Sequence, residues 1–87
     1  MGEVRLRYIV PNLVPGDHFS QLFYVSHYCR GLQDAGVIKE YTVGRLDTKT
    51  NRFNVELELL DKTKRNVIDS TFRSVYAATE DPISVRS

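Results

Sequence analysis

Two stretches of the chain alternate apolar with charged residues: Val4-Arg5-Leu6-Arg7-Tyr8 near the start, and Phe53-Asn54-Val55-Glu56-Leu57-Glu58-Leu59 in the second half. A period of two is that of a strand with one buried face and one wet face. The first stretch carries arginines on its wet face and the second carries glutamates. An antiparallel pairing would set Arg5 and Arg7 across from Glu56 and Glu58, with the apolar residues lining the opposite face.

The remaining pattern supplies the other elements. The first strand, over residues 3 to 10, stops at Pro11, and a proline-stiffened loop runs to Gly16. Asp17 is a good helix N-cap, Leu22, Val25, Cys29 and Leu32 recur at spacings of three and four, and Gly36 reads as the C-terminal cap. Residues 37 to 47 are rich in β-branched and aromatic side chains, and residues 48 to 51 form a polar turn into the second alternating strand, so a hairpin is predicted. In its first strand Val37, Tyr41 and Val43 make the inward set, which leaves Ile38, Thr42 and Leu46 for the open face. Val67 or Ile68, then Thr71, Phe72 and Val75 predict a second helix that starts between Asp61 and Asn66 and runs to about Ala78. Asp81-Pro82 stops it, and Ile83-Ser84-Val85-Arg86 reads as a short last strand.

The order strand, helix, strand, strand, helix, short strand is an α+β pattern and matches the ferredoxin-like βαββα(β) sandwich. In that fold the sheet order is 4-1-3-2, two helices cover one face, and strands one and three are antiparallel neighbours. The arginine and glutamate strands would meet in the centre.

Length and composition bound the rest. With 87 residues, 41 % hydrophobic and 26 % charged, residues 1–87 read as one folded domain. A domain this small gains little net stability alone, which favours association with itself or with a protein partner. The net charge of +1 supplies no field to steer the chain onto nucleic acid or an anionic membrane. A single cysteine, Cys29, and no apolar run long enough for a leader or a spanning helix point to a reducing, cytoplasmic setting without membrane contact. Met1-Gly2 opens as myristoylation sites do, but Leu6 stands where that motif takes Ser or Thr.

Chemistry-bearing motifs are sparse. No phosphate-binding loop, dinucleotide fingerprint, paired-cysteine motif or nucleophile elbow is present, so no catalytic residue, cofactor or metal is assigned. His27 and Cys29 lie two residues apart on a helix and diverge, so they cannot join His18 around one ion. The open sheet face would show Arg5, Arg7 and Ile9 beside Asn54, Glu56 and Glu58. Without an aromatic to stack a base, and with carboxylates to repel phosphate, it does not suit RNA. Basic residues gather as Arg45, Lys49 and Arg52 around the hairpin turn and as Lys62, Lys64 and Arg65 before the second helix. The second group opposes the helix dipole unless an anion sits among it, which makes it the candidate nucleic-acid contact.

On the first helix, Phe23, Tyr24 and His27 project away from the Leu22-Val25-Cys29-Leu32 stripe. That flank is either covered by the Leu13-Val14 loop or is a contact surface. Gly31, inside the same helix, costs about 1 kcal/mol against alanine and suits the close approach of another backbone. The stretch Leu32-Gln33-Asp34-Ala35-Gly36-Val37-Ile38-Lys39-Glu40-Tyr41 is similar to the helix-to-strand junction of a bacterial small-subunit ribosomal protein family. It carries no RNA-binding residue across.

The expectation is therefore a non-catalytic protein-binding domain: a homodimer, or an adaptor or inhibitor of a larger protein. It would act through Phe23, Tyr24 and His27, with Arg5, Arg7, Glu56 and Glu58 on the sheet face as the alternative surface. Two other readings stand beside it. One is nucleic-acid binding through Lys62, Lys64 and Arg65; the other is a small-ligand or enzyme site in a dimer cleft, using Tyr8, His18 or Tyr41.

Overall fold

Strands β1 (Val4–Pro11) and β3 (Arg52–Leu59) pair antiparallel over their full length in the computed structural model, which describes residues 4–14, 16, 17 and 19–80. The register places Arg5 opposite Glu58, Arg7 opposite Glu56 and Ile9 opposite Asn54 on one face. On the other face Leu6 meets Leu57, Tyr8 meets Val55 and Val10 meets Phe53, and all six are buried. A one-residue slip would exchange the two faces, so the alternation fixes the register.

Helix α1 (Ser20–Asp34) begins after Asp17, whose carboxylate accepts from the Phe19 and Ser20 amides at 2.9 and 3.0 Å. Asp17, expected as the N-cap, stands two residues ahead of that position: the regular helix starts at Ser20 and its N-cap is Phe19, which makes no side-chain cap bond. Its far end is closed by Gly36 at φ +77°, with the Gly36 amide on the Gln33 carbonyl and the Val37 amide on the Leu32 carbonyl. Those two bonds are a Schellman motif, which needs the left-handed conformation that glycine adopts without strain.

Strand β2 (Ile38–Val43) joins β3 on its outer side, and a two-residue β4 (Thr79–Glu80) pairs with Tyr8 and Ile9 of β1. The sheet order is β2-β3-β1-β4, and every neighbouring pair is antiparallel. After β3 a 3-10 turn (Lys62–Lys64) leads into α2 (Arg65–Val75). Val25 and Cys29 of α1 and Ile68 and Phe72 of α2 share one core with the inward residues of β1 and β3, so both helices lie on the same side of the sheet. Phe72 stacks on Tyr8 with ring centroids 4.4 Å apart, and Tyr28 and Tyr76 pack around it at 5.8 and 5.7 Å.

Three sequence expectations are corrected. The β2 register shifts at Lys39, so Ile38 is buried opposite Leu59 while Tyr41 and Val43 still face inward; Leu46 also packs against the core. One extra residue on the strand lets both halves bury their apolar side chains. Helix α2 ends at Val75, not near Ala78, because Ala77 takes φ 54° and turns the chain into β4. Of the alternatives Val67 and Ile68 it is Ile68 that is buried, with Val67 59 % exposed, and Val75, which shares the helical spacing, is 60 % exposed, so the inward positions of α2 are Ile68 and Phe72. The strand expected at Ile83-Ser84-Val85-Arg86 lies outside the described residues.

On the open face, the Glu58 side chain is only 8 % exposed and sits directly across β3 from Glu40 of β2, a like-charge pairing. Arg5 offsets it, with guanidinium contacts of 3.5 Å to Glu58 and 3.4 Å to Glu56. Removing that cation leaves a buried carboxylate beside a second one. In denaturant unfolding, Arg5→Ala is therefore expected to lose about 1–3 kcal/mol and Arg7→Ala less than about 1 kcal/mol. Adding Glu58→Gln to Arg5→Ala should restore part of the loss; equal costs for the two arginines would contradict the argument.

Candidate functional site

The outer side of α1 is the most exposed apolar surface among the described residues. No Asp, Glu, Lys or Arg occurs from Ser20 through Cys29. Val25, Cys29 and Gln21 face the core, so their neighbours at half-turn offsets point outward: Phe23 is 70 % exposed and Tyr24 58 %, with Phe19 just before the helix at 77 %. His27 is exposed beside them. The Leu13-Val14 loop does not cover this flank, and Leu13 is itself half exposed.

Beside that flank a groove of about 730 Å³ runs between α1 and the end of α2. Phe23, Tyr24 and His27 form one wall and Val75 the other, over Gln21, Tyr28 and Tyr76. Its base rests on the aromatic cluster around Phe72, so the folding core supports it. Gln21 is 5 % exposed, and its amide nitrogen has no hydrogen-bond partner. Phe23, Tyr24 and His27 are legible in the sequence, whereas Phe19 and Val75 are not. Phe19 precedes the periodic stripe, and Val75 matched the spacing of the buried set.

The other candidate residues fall elsewhere. Arg5, Arg7, Glu56 and Glu58 come together on the open sheet face and pair with one another at 3.4 to 3.5 Å. The exposed pairs to Glu56 contribute roughly 0–1 kcal/mol each, whereas Glu58 is buried.

Lys62, Lys64 and Arg65 are exposed in and just after the 3-10 turn. The anion that this position demands is the chain's own Asp61, which accepts from the Thr63 amide at 3.0 Å. Hydrogen bonds from Thr63, then the charge of Lys64, hold that carboxyl below its ordinary range.

Tyr8 is buried and donates to Asp69 at 2.9 Å. Burial, followed by the Asp69 carboxylate, raises its pKa well above the usual value, so the hydroxyl stays protonated. Partial burial raises the Asp69 carboxyl, but bonds from Arg73 and Tyr8 outweigh this and hold it low. A polar cleft of about 230 Å³ lies at this spot, with Arg7, Arg65, Arg73 and Glu80 on its walls. Tyr41 is not among its lining residues, so the structure does not gather the expected tyrosines in that cleft. His18 lies outside the described residues.

Cys29 is buried, and its thiol pKa is pushed up to about 12 by desolvation, which makes it a poor nucleophile. Among the described residues no group of His, Cys, Asp or Glu is placed to hold a metal ion, and no helix is long and apolar enough to cross a membrane.

Comparison with known proteins finds no family, no curated protein and no solved structure that matches the chain. The functional reading therefore rests on the geometry above.

A buried amide nitrogen without a partner costs roughly 1–3 kcal/mol. Gln21→Met keeps the shape and removes that group, so urea unfolding should show the variant about 1 kcal/mol or more stabler than wild type. A lower midpoint would mean that the amide serves the isolated fold.

Proposed function

We propose that the chain is a small non-catalytic protein-binding domain whose docking surface is the outer face of α1 together with the adjoining groove. The observation that carries this reading is the contiguous set Phe19, Phe23, Tyr24 and Val75, each 58–77 % exposed, beside the stretch of α1 from Ser20 through Cys29 that carries no charged residue. Exposed aromatic clusters beside a groove are the usual anchors of protein interfaces. The sheet face is the weaker alternative because its charges already satisfy one another, and the basic turn is weaker as a nucleic-acid contact because Asp61 fills the anion position.

The ferredoxin-like assignment belongs to the same proposal. Read from the β4 edge, the strand order is 4-1-3-2, with both helices on one face, which supports it. A single buried cysteine suits a reducing, cytoplasmic compartment.

The paired substitution Phe23→Ser and Tyr24→Ser tests the surface. Because both side chains are exposed, folding stability should change by less than about 0.5 kcal/mol per site. Self-association by light scattering and capture of host proteins on the immobilised chain should both be lost. If neither changes, or if Arg7→Ala with Glu56→Ala removes them instead, the α1 face is not the docking surface.

A further inference from the structure

The outer stripe of α1 is complementary to itself when two copies run antiparallel. Its members are Ser20, Phe23, Tyr24, His27, Arg30, Gly31 and Asp34, and all but the half-buried Ser20 are exposed. They recur at spacings of three and four, so they lie along one line of the helix. With a two-fold axis at His27, a residue a given number of positions before the axis meets the residue the same number after it on the other copy. Phe23 then meets Gly31, Tyr24 meets Arg30, and Ser20 meets Asp34.

The two inner meetings each have a physical reason that the single chain lacks. Among the described residues, and apart from its chain neighbours and the backbone of its own helix, no atom lies within 4 Å of where a Gly31 side chain would begin, so packing there does not require a glycine. Glycine nevertheless costs the helix about 1 kcal/mol relative to alanine. A partner's phenyl ring fits the gap. Arg30 set against a tyrosine ring gains a cation–π contact.

Asp34 stands at the end of its own helix, where the dipole disfavours an anion, and α1 has no acidic residue in its first turn and no basic residue in its last. In an antiparallel pair each Asp34 reaches the partner's N-terminal turn, whose Phe19 and Ser20 amides already donate to Asp17, so this third meeting adds no attraction and the pairing rests on the other two. A two-fold axis between Phe23 and Tyr24 would stack the rings, but it would set Gly31 opposite residue 16, beyond the partner's helix, and leave the glycine without a role.

We propose that this chain forms a symmetric homodimer in which α1 packs antiparallel against α1 of a second copy, with the two-fold axis at His27. The proposal rests on the docking-face reading above and names its occupant. One helix face is smaller than the roughly 800 Å² per partner of a standard interface, so the dimer is weak and depends on concentration.

Sedimentation velocity of the full chain from micromolar to millimolar concentration should show a monomer–dimer equilibrium. Gly31→Lys fills the gap with a charged side chain at a position that is exposed in the monomer. It should weaken the dimer by about tenfold or more without lowering the melting temperature. With His27→Cys, a short bis-maleimide should trap a covalent dimer. Gln33→Cys, on the flank of the same helix, should not, and buried Cys29 does not compete.

A dimer indifferent to Gly31→Lys, or trapping at Gln33→Cys and not at His27→Cys, overturns the proposed pairing. A chain that stays monomeric throughout, while Phe23→Ser with Tyr24→Ser still abolishes capture of a host protein, overturns the dimer and leaves the docking face standing. A monomer whose capture is also indifferent to that pair overturns both.

Discussion

The pairing of β1 with β3 is the interaction on which the rest of the molecule depends. On one side it lines up Leu6, Tyr8 and Val10 with Leu57, Val55 and Phe53, the surface onto which both helices pack. Phe72 closes the core by stacking on Tyr8, and Tyr28 and Tyr76 carry the contact out to the two helices. On the other side the same register brings two arginines to two glutamates. Those charges add little energy one by one, but they make the correct register the one in which no charge is buried without a counter-charge.

That arrangement also decides which surfaces are left for other work. The open sheet face is occupied with its own ion pairs, and the turn before α2 is neutralised locally by Asp61. The outer side of α1 has no such internal partner. Its exposed aromatic residues contribute nothing to the core, and its glycine relieves no contact with described residues outside its own helix. A helix carrying apolar residues all round has a second face to bury, and within the described residues nothing covers it.

The parts legible in the sequence were those where one physical signal dominated. The alternation in β1 and β3 gave their pairing and faces, Gly36 marked the end of α1, and Phe23, Tyr24 and His27 stood off the buried stripe. The misses have local causes. The register shift at Lys39 is a backbone adjustment that leaves no side-chain signature, so Ile38 was assigned to the wrong face. Val75 fitted the spacing of the buried set, but α2 ends just beyond it and exposes it beside the groove. The chain's turn through Ala77 brought β4 in earlier than Asp81-Pro82 suggested. The Gln21 amide was unreadable from pattern alone, because a glutamine at a core position shows its missing partner only once its neighbours are placed.

In the proposed dimer, folding uses the inner face of α1 and association the outer one. Backbone amide chemical shifts recorded as the protein concentration is raised test it most directly. Shifts that move with concentration are expected at Phe23, Tyr24, His27, Arg30 and Gly31, while those of Arg5, Arg7, Glu56 and Glu58 stay fixed. Movement centred on the sheet face, or no movement along α1 at any concentration, would contradict it.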